Sequence, residues 1–267
     1  MPLVHLPDIR LNIRLDGPDA APPLVLLHAL GTDGALFDPV IPLLPGFRIL
    51  RPDLRGHGLS DVPDPPYAMG ALIRDVERLM DHVAMKDAVV LGVSLGGLIA
   101  QGLATKRLDL VRAMVLSNTA ARIGSPAQWA DRAGRIAASG LEPCADAAMQ
   151  RMFGRDWRAE PAMPATRARL VTTNPKGWIG CAQAMAGTDL YTPTAALALP
   201  TLVLAGDRDG ITPPDLVRET AELIRGAEFH LIRGAGHLPF LEKPADYATR
   251  LTTFLRRIGH RQPCHFD

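Results

Sequence analysis

The sequence predicts an α/β protein with a mostly parallel central sheet flanked by helices and one helical insert. Three observations carry this. Short apolar runs alternate with an amphipathic stretch at helical spacing. About 70 residues in the middle break that rhythm without a convincing strand, and a glycine-flanked serine sits where one apolar run gives way to a helix.

In chain order, Ile9 to Leu15 alternates apolar with polar residues (Ile9, Leu11, Ile13, Leu15), the period-two mark of a half-exposed strand. Leu24–His28, Arg48–Arg51, Ala88–Gly92, Ala113–Ser117 and Thr201–Ala205 are short β-branched or leucine-rich runs. They read as strands buried on both faces of a parallel sheet. Leu72, Val76, Leu79 and Val83 recur at helical spacing with charges between them, which gives an amphipathic crossover helix. From about Ala120 to Leu190 the chain carries Trp129, Trp157 and Trp178 with many Ala, Arg and Met. This part reads as helical, interrupted at Pro143, Pro161, Pro164 and Pro175. The rhythm resumes at Pro200 and closes with a helix through Tyr247 to Ile258. The expected organisation is a core of residues 1–119 and 191–267 with a helical cap, or lid, at 120–190. Some 70 residues would make a thin core for a separate domain.

Apolar content of 47% and charged content of 21% are ordinary for a globular chain. A net charge of +1 gives no field to recruit nucleic acid or an anionic membrane, so neither is expected as a partner. The start lacks a cationic lead and an unbroken apolar stretch, and the apolar runs are too short to span a bilayer. Cys144, Cys181 and Cys264 are an odd set without framework spacing, which suits reduced thiols and a cytoplasmic setting.

The sharpest local signal is Gly92-Val93-Ser94-Leu95-Gly96-Gly97, between the run ending at Leu91 and the apolar-rich Leu98–Ala104. A serine at a strand-to-helix turn exposes its hydroxyl at the sheet edge, and the glycines relieve crowding there. Ser94 is therefore the expected nucleophile, next to a helix N-terminus that favours negative charge. Of eight histidines, His237 is the expected base: it lies in Gly234-Ala235-Gly236-His237-Leu238-Pro239, just after the strand Phe229–Ile232. His5, His260 and His265 lie near the termini, His82 is in the crossover helix and His230 in a strand. His28 and His57 read as structural or loop-shaping. The acid should follow another strand, and Asp209 is favoured over Asp207 because it stands farther out in the loop after Ala205. Oxyanion donors are expected from the backbone N–H groups of Leu95 and Leu30. No metal-ligand spacing appears, Cys264-His265 alone being too little for zinc. No dinucleotide fingerprint appears either, so no cofactor is expected.

These motifs, with His28-Ala29-Leu30-Gly31-Thr32-Asp33 and Asp53-Leu54-Arg55-Gly56-His57-Gly58-Leu59-Ser60, resemble the α/β-hydrolase superfamily over nearly the whole chain. Within it the chain most resembles the 3-oxoadipate enol-lactonases of the β-ketoadipate pathway. That likeness rests on Leu30–Asp33, Ser117-Asn118-Thr119-Ala120, Gln128-Trp129-Ala130-Asp131-Arg132 and Thr173–Cys181. It implies opening of a carboxylate-bearing lactone through an acyl-enzyme. Trp129 and Arg132, three apart on a presumed helix, would then pack on the ring and pair with the carboxylate, with Arg122 as the rival cation. Ala29 and Phe37 depart from the superfamily pattern, which often has glycine and, near Phe37, tryptophan at these places; the second bears on pocket shape. The same residues also suit a carboxylesterase or cofactor-free perhydrolase, and a non-catalytic small-ligand receptor on the same fold. Aspartate-nucleophile dehalogenases and epoxide hydrolases resemble the chain less, since Ser94 stands at the nucleophile position.

Overall fold

The computed structural model describes residues 2–157 and 160–261. The calls on Cys264, His265 and the end of the tail lie outside the described residues. The chain opens with strands β1 (Leu3–Leu6) and β2 (Ile9–Asp16), then β3 (Pro23–Leu27) and β4 (Arg48–Pro52). Helix α1 (Met69–His82) leads to β5 (Ala88–Val93), α2 (Leu95–Lys106) and β6 (Val111–Ser117). Five helices follow before the next strand: α3 (Pro126–Ser139), α4 (Glu142–Met152), α5 (Ala162–Thr172), α6 (Pro175–Ala186) and α7 (Tyr191–Ala195). The chain returns through β7 (Thr201–Gly206), α8 (Pro214–Leu223), β8 (Glu228–Ile232), α9 (Pro239–Glu242) and α10 (Pro244–Arg257).

The strands form one eight-stranded sheet in the order β1-β2-β4-β3-β5-β6-β7-β8. The two pairings of β2 are antiparallel and every other pairing is parallel. Each residue of β5 and β7 is buried, as a strand covered on both faces requires. In β2 the alternation holds for Ile9, Leu11 and Ile13 but fails at Leu15, which is 43% exposed near the strand's end. β1 lay outside the expected strands: four residues followed by Pro7 are too few to show a period.

The prolines of the insert act as helix starts. Pro143 is the second residue of α4, Pro161 immediately precedes α5, Pro164 is the third residue of α5, and Pro175 opens α6. A proline in the first turn forfeits no intrahelical hydrogen bond, because those N–H groups have no partner there. One long apolar-rich stretch is thereby cut into separate helices. α3 adds a capping box, with Ser125 and Gln128 satisfying each other's backbone N–H groups.

Parallel pairing brings the carboxyl ends of β3, β5, β6, β7 and β8 to one edge. Leu27 lies beside Gly92, Val93 beside Ser117, Ser117 beside Leu204, and Gly206 beside Ile232. Loops leaving that edge carry residues from five distant parts of the sequence to one place. Open α/β sheets bind ligands outside this end of the strands. No helix among the described residues is long and apolar enough to cross a membrane.

Candidate active site

Ser94 stands between β5 and α2 with φ 54° and ψ −113°, a backbone conformation that non-glycine residues rarely adopt. Neighbouring bonds hold it there. Its N–H donates to the Ser117 carbonyl at 3.2 Å, and its own carbonyl accepts from Gly97 N–H at 2.9 Å and Thr119 Oγ1 at 2.7 Å. A Cβ on Gly96 would be driven into the Leu27 carbonyl, and one on Gly92 into the Gly96 carbonyl, which is why both glycines are needed.

His237 follows β8 and is buried. Its Nδ1 lies 2.8 Å from Asp209 Oδ2. Asp209 receives four further hydrogen bonds: Ile211 N–H (2.7 Å) and Thr212 N–H (3.1 Å) on Oδ1, Thr212 Oγ1 (2.6 Å) and Asn118 Nδ2 (2.8 Å) on Oδ2. Burial pushes its carboxyl upward, but the charge and hydrogen bond of His237, with those of Thr212 and Asn118, outweigh burial and hold it below the usual carboxylate range. An ionised Asp209 only accepts, so His237 keeps its proton on Nδ1 and Nε2 remains the basic nitrogen. Asp207, the competing candidate, instead accepts from Gly234 N–H at 2.7 Å and braces the histidine loop.

Ser94, His237, Ala29 and Leu30 line one cavity of about 520 Å³. Among the described residues no acceptor is found for the backbone N–H of Leu30 or Leu95. Ile123, Trp129, Ile136, Leu141, Leu170 and Trp178 make its apolar walls, and Arg132, Arg135 and Arg151 also border it. Arg132 is half-buried, with its guanidinium carbon 4.8 Å from the Trp129 ring centre. Burial, then the like charges of Arg151 and Arg135, lower its pKa. It forms no ion pair among the described residues, whereas Arg135 is paired with Asp131. The rival, Arg122, lies 3.5 Å from Asp189 and does not border the cavity.

One expectation needs correction. Phe37 does not shape the pocket. Asp33 caps the short 3-10 turn Gly34–Phe37, and the ring packs 5.0 Å from Phe240 in the core. In the motif Ser117–Ala120, Asn118 binds Asp209 and Thr119 binds the Ser94 carbonyl.

Sequence reasoning missed Thr212, Glu242 and the role of Asn118. Glu242 is fully buried and ties two elements together, accepting from Gly236 N–H at 2.7 Å and Gly154 N–H at 2.9 Å. Met152 in turn accepts from His237 N–H at 2.6 Å, and Arg151 from Gly210 N–H at 3.0 Å. The end of α4 is thus hydrogen-bonded to both loops that present Asp209 and His237. Gly236, just before His237, was the sequence signal for this close approach: a Cβ there would strike the Met152 carbonyl.

A mostly parallel sheet whose strand-to-helix serine lines the same cavity as a buried, aspartate-bonded histidine is the arrangement of an α/β hydrolase. The chain belongs to that family: the model of the alpha/beta hydrolase fold matches residues 22–244. It is 28% identical over 251 residues to 3-oxoadipate enol-lactonase 1 of Acinetobacter baylyi, covering 93% of this chain and 94% of that one. The crystal structure of the enol-lactonase from Burkholderia xenovorans superposes with a TM-score of 0.92 at 34% identity, covering 96% of this chain and all of that one. A thermophilic esterase from Thermogutta terrifontis superposes at 0.88 with 30% identity, covering 96% and 97%.

Proposed function

We propose that this hydrolase opens 3-oxoadipate enol-lactone to 3-oxoadipate through an acyl-enzyme on Ser94. The Ser94 oxygen attacks the lactone carbonyl as His237 Nε2 takes its proton, and Asp209 stabilises the imidazolium. The oxyanion falls to the N–H groups of Leu30 and Leu95. The C–O bond to the ring oxygen then breaks. The leaving enolate takes a proton and becomes a ketone, which makes ring opening hard to reverse. Water attacks the acyl-enzyme with His237 as base again, and the carboxylate leaves as Ser94 regains its proton.

The observation that carries the choice of substrate is Arg132, a half-buried guanidinium without an acidic partner among the described residues, bordering the same cavity as Ser94 and His237. A partly dry cation facing apolar walls favours a ligand that brings its own carboxylate. Trp129 holds the Arg132 side chain by ring contact, and Trp178, 6.3 Å from Trp129, completes an aromatic wall for the lactone ring. The likeness to two enol-lactonases supports the same reading.

The second reading is a carboxylesterase, favoured by the mostly apolar walls and by the likeness to an esterase. Loss of enol-lactone absorbance, measured against neutral aryl esters with wild type and Ser94→Ala, separates the two. The proposal expects kcat/KM for the lactone to exceed that for the esters at least a hundredfold; equal values would make the esterase reading the correct one.

A further inference from the structure

The loop after β3 is pinned by groups that take no part in the chemistry proposed above. The Ala29 carbonyl accepts from His28 Nδ1 at 2.8 Å and Thr32 Oγ1 at 2.7 Å, with Thr32 N–H a longer third donor at 3.3 Å. The tautomer of His28 follows from its other nitrogen. Nε2 lies 2.9 Å from the Leu54 N–H and must accept there, so the single ring proton is on Nδ1. Burial, above all, lowers the pKa of this imidazole and keeps it neutral, and a second proton would face the Leu54 N–H head on.

A trans peptide points its N–H opposite its C=O. Anchoring the Ala29 carbonyl therefore fixes the N–H on the same peptide, that of Leu30. This N–H has no acceptor among the described residues, and Leu30 borders the cavity beside Ser94. The next peptide is held from its other end: Gly31 N–H donates to His57 Nε2 at 3.0 Å. His57 donates its Nδ1 proton to the Arg55 carbonyl at 3.1 Å, and burial, followed by the neighbouring His28, brings its pKa down to about 3. Gly31 itself has φ +76°, a conformation glycine tolerates without strain. Turning the Ala29–Leu30 peptide over would break the bonds to Ala29 O and aim a carbonyl at the place where negative charge develops.

We propose that His28 and Thr32 are positioning residues that hold the Ala29–Leu30 peptide in the orientation presenting the Leu30 N–H to the oxyanion. The proposal rests on the serine-hydrolase reading, and the residues come from the buried face of the loop. Ala29 contributes through its carbonyl, which sets the peptide plane, and not through its side chain.

The test uses Thr32→Val, which keeps the side chain's shape and removes the hydroxyl, with Thr32→Ala alongside in case the added methyl disturbs the buried site. Thr32→Ser serves as the conservative rescue. Hydrolysis of an aryl ester gives kcat and KM, and inhibition by phenylboronic acid, which forms a tetrahedral adduct on an active serine, reports the oxyanion site directly. Removal of a whole oxyanion donor costs about 10²–10³ in kcat. Loss of one anchor is expected to lower kcat roughly ten- to a hundredfold, with KM within about twofold and boronate affinity falling in step with kcat. Thr32→Ser should restore both to within about threefold. A folded Thr32→Val or Thr32→Ala enzyme with kcat within about twofold of wild type would overturn the proposal. So would a loss of kcat that leaves boronate affinity intact. Wild-type protein lacking Ser94-dependent turnover would instead overturn the hydrolase reading, and the proposal with it.

Discussion

Replacing Asp209 by Asn changes one atom, and the consequence follows from the five donors around the carboxylate. Oδ1 accepts from the Ile211 and Thr212 N–H groups, so the amide oxygen of Asn takes that place. The new NH2 must then occupy the Oδ2 position, where Thr212 Oγ1, Asn118 Nδ2 and His237 Nδ1 all donate. Thr212 can rotate its hydroxyl and Asn118 can turn its amide. His237 can avoid a donor–donor clash only by moving its proton to Nε2. That nitrogen then has no lone pair for the Ser94 proton. The same tautomer defect in a Ser-His-Asp enzyme costs about 10⁴ in kcat, or about 5.5 kcal/mol of barrier. Steady-state hydrolysis of an aryl ester near neutral pH, with a melting curve on the same sample, gives the number. Asp209→Asn is expected to lose about 10⁴ in kcat while staying folded, and Asp207→Asn to lose far less. Retention of kcat within about tenfold by folded Asp209→Asn would refute the assignment of Asp209.

Other changes test separate links. Arg132→Ala should raise KM for the carboxylate-bearing lactone about tenfold, roughly the 1.5 kcal/mol of a charge-assisted hydrogen bond, and leave KM for a neutral ester within about twofold; equal effects on both substrates would remove Arg132 from carboxylate recognition. Gly96→Ala forces a methyl into the Leu27 carbonyl and should lower stability by about 3 kcal/mol, read as a drop in denaturant midpoint. Burial pushes Glu242 up to about 7, with the Asp209 charge adding to it, against the Gly154 and Gly236 N–H groups and His237. A carboxyl raised on folding binds more protons in the native state, so its contribution is present below the unfolded value near 4.3 and is lost as pH rises through about 7. Melting temperature measured from pH 4 to 8 should therefore show this falling component in wild type and lack it in Glu242→Gln; an identical profile in the variant would remove Glu242 as its source.

The sheet, and the meeting of the Ser94, His237 and Asp209 loops at its edge, were legible in the sequence because each leaves a local mark. Buried parallel strands read as unbroken apolar runs, and where backbones crowd the turn at Ser94 is glycine-flanked and His237 is preceded by Gly236. Asp209 was legible from its place after β7. What was not legible depends on contacts across the sequence. Asn118 meets Asp209 from 91 residues away, and Glu242 joins Gly236 to Gly154 at the far end of α4. Nothing in the local pattern of a Glu in a short helix reveals that both of its oxygens are buried on backbone N–H groups. The bearing of Phe37 on pocket shape was not legible, because it depends on a 3-10 turn that points the ring into the core. His28 and His57 were recognised as shaping a loop, but which peptide they hold depended on their ring nitrogens, which only coordinates supply.

The most direct test of the central claim is covalent labelling with an active-serine phosphonate, read by peptide mass spectrometry beside residual hydrolysis. One adduct per chain on Ser94, with activity falling in proportion and neither label nor turnover in Ser94→Ala, is the expected result. Hydrolysis that survives in Ser94→Ala, or an adduct on another residue that tracks the lost activity, would contradict it.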